Sequence, residues 1–136
     1  MATYREAGVD LAAAAAVVDR IGGSVTATWS DDVVGGFGGF AAGIRLPAGY
    51  RRPVLMMVTD GVGTKAVLAW RTGLVGGLGA DLVAMCVDDL VAAGARPLAM
   101  TDYIAIGSMD VEAVSALVAS IAAACAEAGV ALLGGE

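Results

Sequence analysis

Thr59-Asp60-Gly61-Val62-Gly63-Thr64-Lys65 brings a carboxylate, two glycines and a lysine together directly after the apolar run Pro53-Val54-Leu55-Met56-Met57-Val58. Asp60 has the chemistry to hold a metal ion and Lys65 to face a phosphate. Gly61 and Gly63 permit close backbone approaches that a side chain would block. A helix beginning near Thr64 would offer unpaired N–H groups to an anion. A tight surface turn with a solvated ion pair uses the same residues, so the segment gains meaning from its company. That company is acidic: Asp81, Asp88 and Asp89 lie in a stretch that reads as a helix closed by Gly94. At about 100° per residue, Asp81 and Asp88 fall nearly on one line, with Asp89 about 80° round. The rest of that helix is apolar enough to be buried, and clustered carboxylates there would be relieved by a hard cation. Magnesium, completed by water and phosphate oxygens, fits that chemistry. The other reading is a solvated acidic stripe. Two glycine runs, Gly35-Gly36-Phe37-Gly38-Gly39 and Gly134-Gly135-Glu136, could wrap phosphate oxygens with backbone N–H groups or serve as loops. Neither G-x-x-x-x-G-K-[ST] nor a strand-borne G-x-G-x-x-G is present, so the nucleotide chemistry rests on the combination.

The elements that must position these residues follow from periodicity and punctuation. An alanine-rich helix is expected from about Asp10, its N-cap, to Ile21, ended by Gly22-Gly23. Phe37 to Leu46 and Pro53 to Thr59 read as an antiparallel strand pair joined across Pro47-Ala48-Gly49-Tyr50. A short helix follows Lys65, and the acidic helix covers residues 80 to 93. Leu98 to Ile106 reads as a strand, in which Asp102 is a strand-end acid and Tyr103 a packed aromatic. Asp110 to Ala128 is a long helix capped by Asp110 and closed by Gly129, and Val130 to Leu133 a last strand. Four strands and their helices in this order predict an α+β fold, a four-stranded mixed or antiparallel sheet with helices on one face.

The 136 residues make one domain by length, with 58% hydrophobic residues and a mean hydropathy of +0.78. That excess predicts apolar surface meant for another chain or domain. Residues 113 to 126, the longest apolar stretch, fall short of the ~20 needed to cross a bilayer, so no membrane helix is expected. The first residues have neither a basic nor an apolar signal region. A net charge of −6 without a basic cluster disfavours nucleic acid. Cys86 and Cys125 lack metal or redox spacing and are expected to be buried reduced thiols, which fits a cytoplasmic protein.

In this order, Tyr4-Arg5-Glu6-Ala7-Gly8-Val9-Asp10, the first glycine run, the Asp60 loop, Asp81-Leu82-Val83-Ala84-Met85-Cys86-Val87-Asp88-Asp89-Leu90, Gly94-Ala95-Arg96-Pro97-Leu98, Thr101-Asp102-Tyr103 and Gly134-Gly135-Glu136 resemble the N-terminal domain of the phosphoribosylformylglycinamidine cyclo-ligases. The resemblance covers nearly the whole chain. It implies ATP-dependent closure of formylglycinamidine ribonucleotide to aminoimidazole ribonucleotide in purine biosynthesis. It further implies a homodimer in which the sheet face packs on its twin in a closed barrel, and a second domain of comparable size after Glu136. Carried over residue by residue, Asp60 and Lys65 are catalytic, and Gly36, Gly38, Gly61, Gly63, Thr64 and Lys65 contact ATP. Asp60, Asp81, Asp88, Asp89 and Glu136 surround Mg2+. Two departures stand out: the family usually has asparagine at Asp88, and a histidine before the Asp81 helix where this chain has Gly76-Gly77 and no histidine anywhere. Two other readings remain: a dimerisation and nucleotide-binding module without turnover, and another enzyme of the same ATP-using superfamily, such as a small-molecule kinase.

Overall fold

The computed structural model describes residues 3–136. Its elements are α1 (Leu11–Thr26), β1 (Val33–Val34), β2 (Gly43–Ile44), α2 (Lys65–Thr72), a 3-10 turn (Val75–Gly77), α3 (Leu78–Ala92), β3 (Ala99–Asp102), α4 (Val111–Ala128) and β4 (Ala131–Gly135). The α+β class holds. Its sheets are two separate two-stranded ones, antiparallel β1–β2 and parallel β3–β4, in place of the expected four-stranded sheet.

The helix ends follow local chemistry. Asp10 caps α1 by accepting from the Ala12 and Ala13 N–H groups at 3.0 and 3.1 Å, and Asp110 caps α4 by accepting from Ala113 N–H at 3.0 Å. Gly94 and Gly129 stand just past α3 and α4 with φ of +77° and +67°, where a side chain would be strained. Gly22-Gly23 do not stop α1. Gly22 lies under the Phe37 ring, and Val17 and Val25, eight residues apart on one face, are both buried. That packing outweighs the ~1 kcal/mol that each helical glycine costs.

At the centre lies α4, whose Val114, Val118, Ile121, Ala122 and Cys125 are buried with Val17 and Val25 of α1, Val83 of α3, and Val130 and Leu132 around β4. By length and composition α4 does qualify as a membrane span, with 18 residues and a mean hydropathy of 1.6, which corrects the shorter estimate from sequence. Its apolar face is spent on this core. Gly79 sets how closely α3 crosses it, since a methyl group there would overlap the backbone of Ser120 and Ile121. Cys86 and Cys125 are both free thiols, Cys125 buried and Cys86 half-buried.

The strand expected over Pro53–Thr59 is absent. Among the described residues, 53–62 pair with no strand, and Val54, Leu55 and Met57 are 83%, 69% and 89% exposed. A strand needs a partner edge for its N–H and C=O groups, and none is supplied within this segment's surroundings. The antiparallel pair falls earlier instead: Val33 faces Ile44 and Val34 faces Gly43, with the first glycine run forming the connection. Gly35 and Gly38 take φ of +121° and +79° in it. In β3–β4 the register runs Ala99 to Ala131 and Met100 to Leu132, then slips so that Thr101 faces Gly134 and Asp102 faces Gly135. The outer edge of β4 is closed by the turn that follows α1: Leu132 N–H donates to Thr28 Oγ1 at 2.9 Å, and Trp29 Nε1 donates to the Leu132 carbonyl at 2.7 Å.

Candidate functional site

The loop from Asp60 to Thr64 ends at the first turn of α2. Asp60 is exposed and its Oδ1 accepts from the Gly61 N–H at 2.7 Å. Gly63 takes φ of +59°, and Thr64 occupies the cap position without a side-chain capping bond. Ala66 and Val67 donate to the Gly63 and Thr64 carbonyls at 3.2 Å, while the Thr64 and Lys65 amides, like those of Val62 and Gly63, have no acceptor among the described residues. Lys65 Nζ reaches Asp81 Oδ2 at 2.8 Å, with both side chains about half exposed. That contact ties the loop to α3 across sixteen residues of sequence.

The α3 carboxylates do share an exposed face, but the burial expected around them is not found: Asp81, Asp88 and Asp89 all face solvent. Among the described residues no three Asp, Glu or Cys side chains converge closely enough to hold a metal ion. The donor set is therefore not an all-protein cage. It fits an ion held by one or two carboxylates and completed by phosphate oxygens and water, which is the usual habit of magnesium.

The two glycine runs converge on a different place. A cavity of about 310 Å³ opens where the parallel strands β3 and β4 end, lined by Thr101, Asp102 and Leu133 to Glu136 and faced by Gly39 to Ala42 of the first glycine loop. Gly36 and Gly38 shape that loop without lining the cavity. Glu136 is exposed there and extends the strand pairing, its N–H donating to the Asp102 carbonyl at 3.2 Å and its carbonyl accepting from Ile104 N–H at 2.7 Å. The strand-end acid expected at Asp102 is more than that. It is half-buried, and loss of water around the carboxyl pushes its pKa above the usual value. Tyr103, expected to be packed, is 76% exposed. A lone aspartate in an apolar strand gave no signal of the cavity, because its lining comes from segments more than ninety residues apart.

Comparison with known proteins gives one family and a set of close relatives. The family described as AIR synthase related protein, N-terminal domain, matches residues 38–136. A phosphoribosylformylglycinamidine cyclo-ligase of Prochlorococcus marinus (strain NATL1A) is 49% identical over 133 residues, covering 98% of this chain and 38% of that protein. Proteins of the same name from Synechococcus sp. (strain CC9605) and Prochlorococcus marinus (strain MIT 9313) are 50% identical over the same share of this chain and 39% of their own length. The chain thus spans well under half the length of the curated relatives it matches.

Proposed function

The chain belongs to the AIR synthase related family by its match to the N-terminal domain, and from that membership we propose that it is the nucleotide-binding and dimer-forming part of a cytoplasmic phosphoribosylformylglycinamidine cyclo-ligase. The observation that carries the reading is identity of about half over 98% of the chain with proteins of that name. In the reaction, the γ-phosphoryl group of ATP passes to the formyl oxygen of formylglycinamidine ribonucleotide. A substrate nitrogen then attacks that carbon, and the oxygen leaves with phosphate as the imidazole ring closes.

Phosphoryl transfer asks a protein for positioning and charge neutralisation more than for covalent chemistry. Lys65, at the start of α2, faces a phosphate after exchanging its bond to Asp81, and the Thr64 and Lys65 amides add two donors. Gly61 and Gly63, with Gly36 and Gly38 of the other loop, let backbone approach the nucleotide. Asp60, Asp81, Asp88, Asp89 and Glu136 are the carboxylates from which we draw the one or two that would hold magnesium, which when bound neutralises charge on the phosphate oxygens. The partner is a second copy of the chain. Its 53–58 segment and this one become strands that complete a four-stranded sheet in each copy, with the sheet faces meeting in a closed barrel. The near-complete exposure of Val54 and Met57 supports this.

The test is an assay of the whole gene product with formylglycinamidine ribonucleotide, ATP and Mg2+. One ADP, one phosphate and one imidazole per turnover are expected. Transfer of phosphate to a stable phosphorylated product would instead establish a kinase of the same superfamily. The share of the relatives' length covered favours one further reading, that this segment by itself binds nucleotide without turnover.

A further inference from the structure

Gly73, Gly76, Gly77 and Gly79 fall within residues 73–79, where α2 gives way to α3. Nothing lies within 4 Å of where a Cβ would stand at Gly73, Gly76 or Gly77, so no neighbour packs closely against the backbone there. Glycine backbone loses more freedom than any other when it is held in one conformation. The buried side chains of Val75 and Leu78 give this joint its apolar grip on the core. Its polar grip comes from Ser120 of α4, half-buried, whose Oγ donates to the Gly76 carbonyl in the only side-chain hydrogen bond to residues 73–79 among the described residues. Gly79 rests on the backbone of the same Ser120. The joint carries the pair that faces phosphate, since Lys65 starts α2 and Asp81 stands in the first turn of α3. α2 has one buried residue, Ala69, so its own packing holds it weakly. The Lys65–Asp81 contact, about half exposed on both sides, adds little, and it is given up when Lys65 turns to a phosphate. Ser120 is then the side-chain hydrogen bond that still ties the joint to α4.

We infer that Ser120 is a positioning residue for the nucleotide: its hydroxyl holds the glycine joint in one arrangement, and the joint sets where Lys65 stands relative to Asp81. The inference rests on the reading that gives Lys65 to a phosphate of ATP. Ser120 acts through the joint and not on the reacting atoms. A joint free to move presents Lys65 and Asp81 together for only part of the time, and the apparent affinity for ATP falls by that fraction. In the complex the bound ligand itself fixes the joint, so the chemical step proceeds as in the parent.

The test uses the whole gene product, with Ser120→Ala alone and with Ser120→Ala combined with Gly77→Ala. Gly77 has φ of −82° and ψ of −18°, in the right-handed helical region, and open space where its Cβ would stand. Alanine therefore fits there and stiffens a joint that has lost its anchor. Ser120→Ala should raise KM for ATP about five- to tenfold while kcat stays within about twofold of the parent. The second substitution should bring KM most of the way back. Without nucleotide, amide hydrogen exchange over residues 65–77 should quicken in Ser120→Ala while that of the α4 core stays slow, and it should slow again in the double variant. Either KM or exchange at its parental value in Ser120→Ala would overturn the inference, as would a loss that follows the melting temperature and ignores Gly77→Ala. A parent that neither binds nor uses ATP overturns the reading of Lys65 instead, and the exchange measurements then decide on the anchor by themselves.

Discussion

Asp102 is held where its ionised form is disfavoured, and stability must reflect it. Burial raises its folded-state pKa, so between the unfolded value near ~3.9 and that higher value the folded chain binds more protons than the unfolded one. The contribution is therefore fully present below the unfolded pKa and lost as pH rises through the folded one. Asp102→Asn should raise the urea midpoint at pH 7 and lose that advantage below about pH 4. A variant less stable than the parent at pH 7 would show that the carboxylate is stabilising in its seat. Asp10 has the opposite sign: the Ala13 N–H lowers its pKa most, loss of water opposes it next, and Arg5 and the Ala12 N–H add to the lowering, so its contribution is present above the unfolded pKa and fades as pH falls through the folded one. Asp60 is a different case, an exposed side chain whose removal takes away charge and little packing. In the whole gene product, Asp60→Asn should lower turnover about a hundredfold, close to 3 kcal/mol of transition-state stabilisation, with the melting temperature unchanged. Near-normal kcat at saturating Mg2+ and ATP would remove Asp60 from the metal site.

Between elements, the α3–α4 crossing depends on one missing methyl group. Gly79→Ala gains helix propensity of about 1 kcal/mol, but the methyl group would meet the Ser120 and Ile121 backbone, which cannot rotate away. Overpacking of this kind costs about 1–3 kcal/mol, so a net loss is expected in urea denaturation, and a stabilised variant would mean that the helices slide apart freely. The helix ends were legible in the sequence because capping is local: Asp10, Asp110, Gly94 and Gly129 act on residues within a few positions. Gly22-Gly23 misled for the reciprocal reason, since Phe37, which covers Gly22, lies far along the chain. The spacing of Asp81, Asp88 and Asp89 correctly put them on one face, yet spacing alone cannot say whether that face meets core or solvent. Val83 and Leu78 turn the other side of α3 inward. The Lys65–Asp81 pair and the Asp102 cavity depend on how separate elements dock, which periodicity does not encode.

At the scale of the molecule, the segment from Val54 to Val58 leaves a run of large apolar side chains in water, more than a stable monomer ordinarily exposes in one stretch. Sedimentation at micromolar concentration should give twice the chain mass, and Met57→Lys, which puts a charge into the shared face, should return it toward one. A monomer that also binds no hydrophobic dye would end the proposal of a second copy. The closed edge of β4 carries a further consequence. The Trp29 indole proton is bound to the Leu132 carbonyl, so it can be traded for deuterium only when the turn after α1 parts from β4. Trp70, 39% exposed, has no such bond among the described residues. In heavy water the Trp70 signal should vanish at once while that of Trp29 persists and decays with the opening of the fold. One proton thus serves as a built-in clock for the molecule's breathing, and equal rates for the two indoles would mean that the edge of β4 stands open.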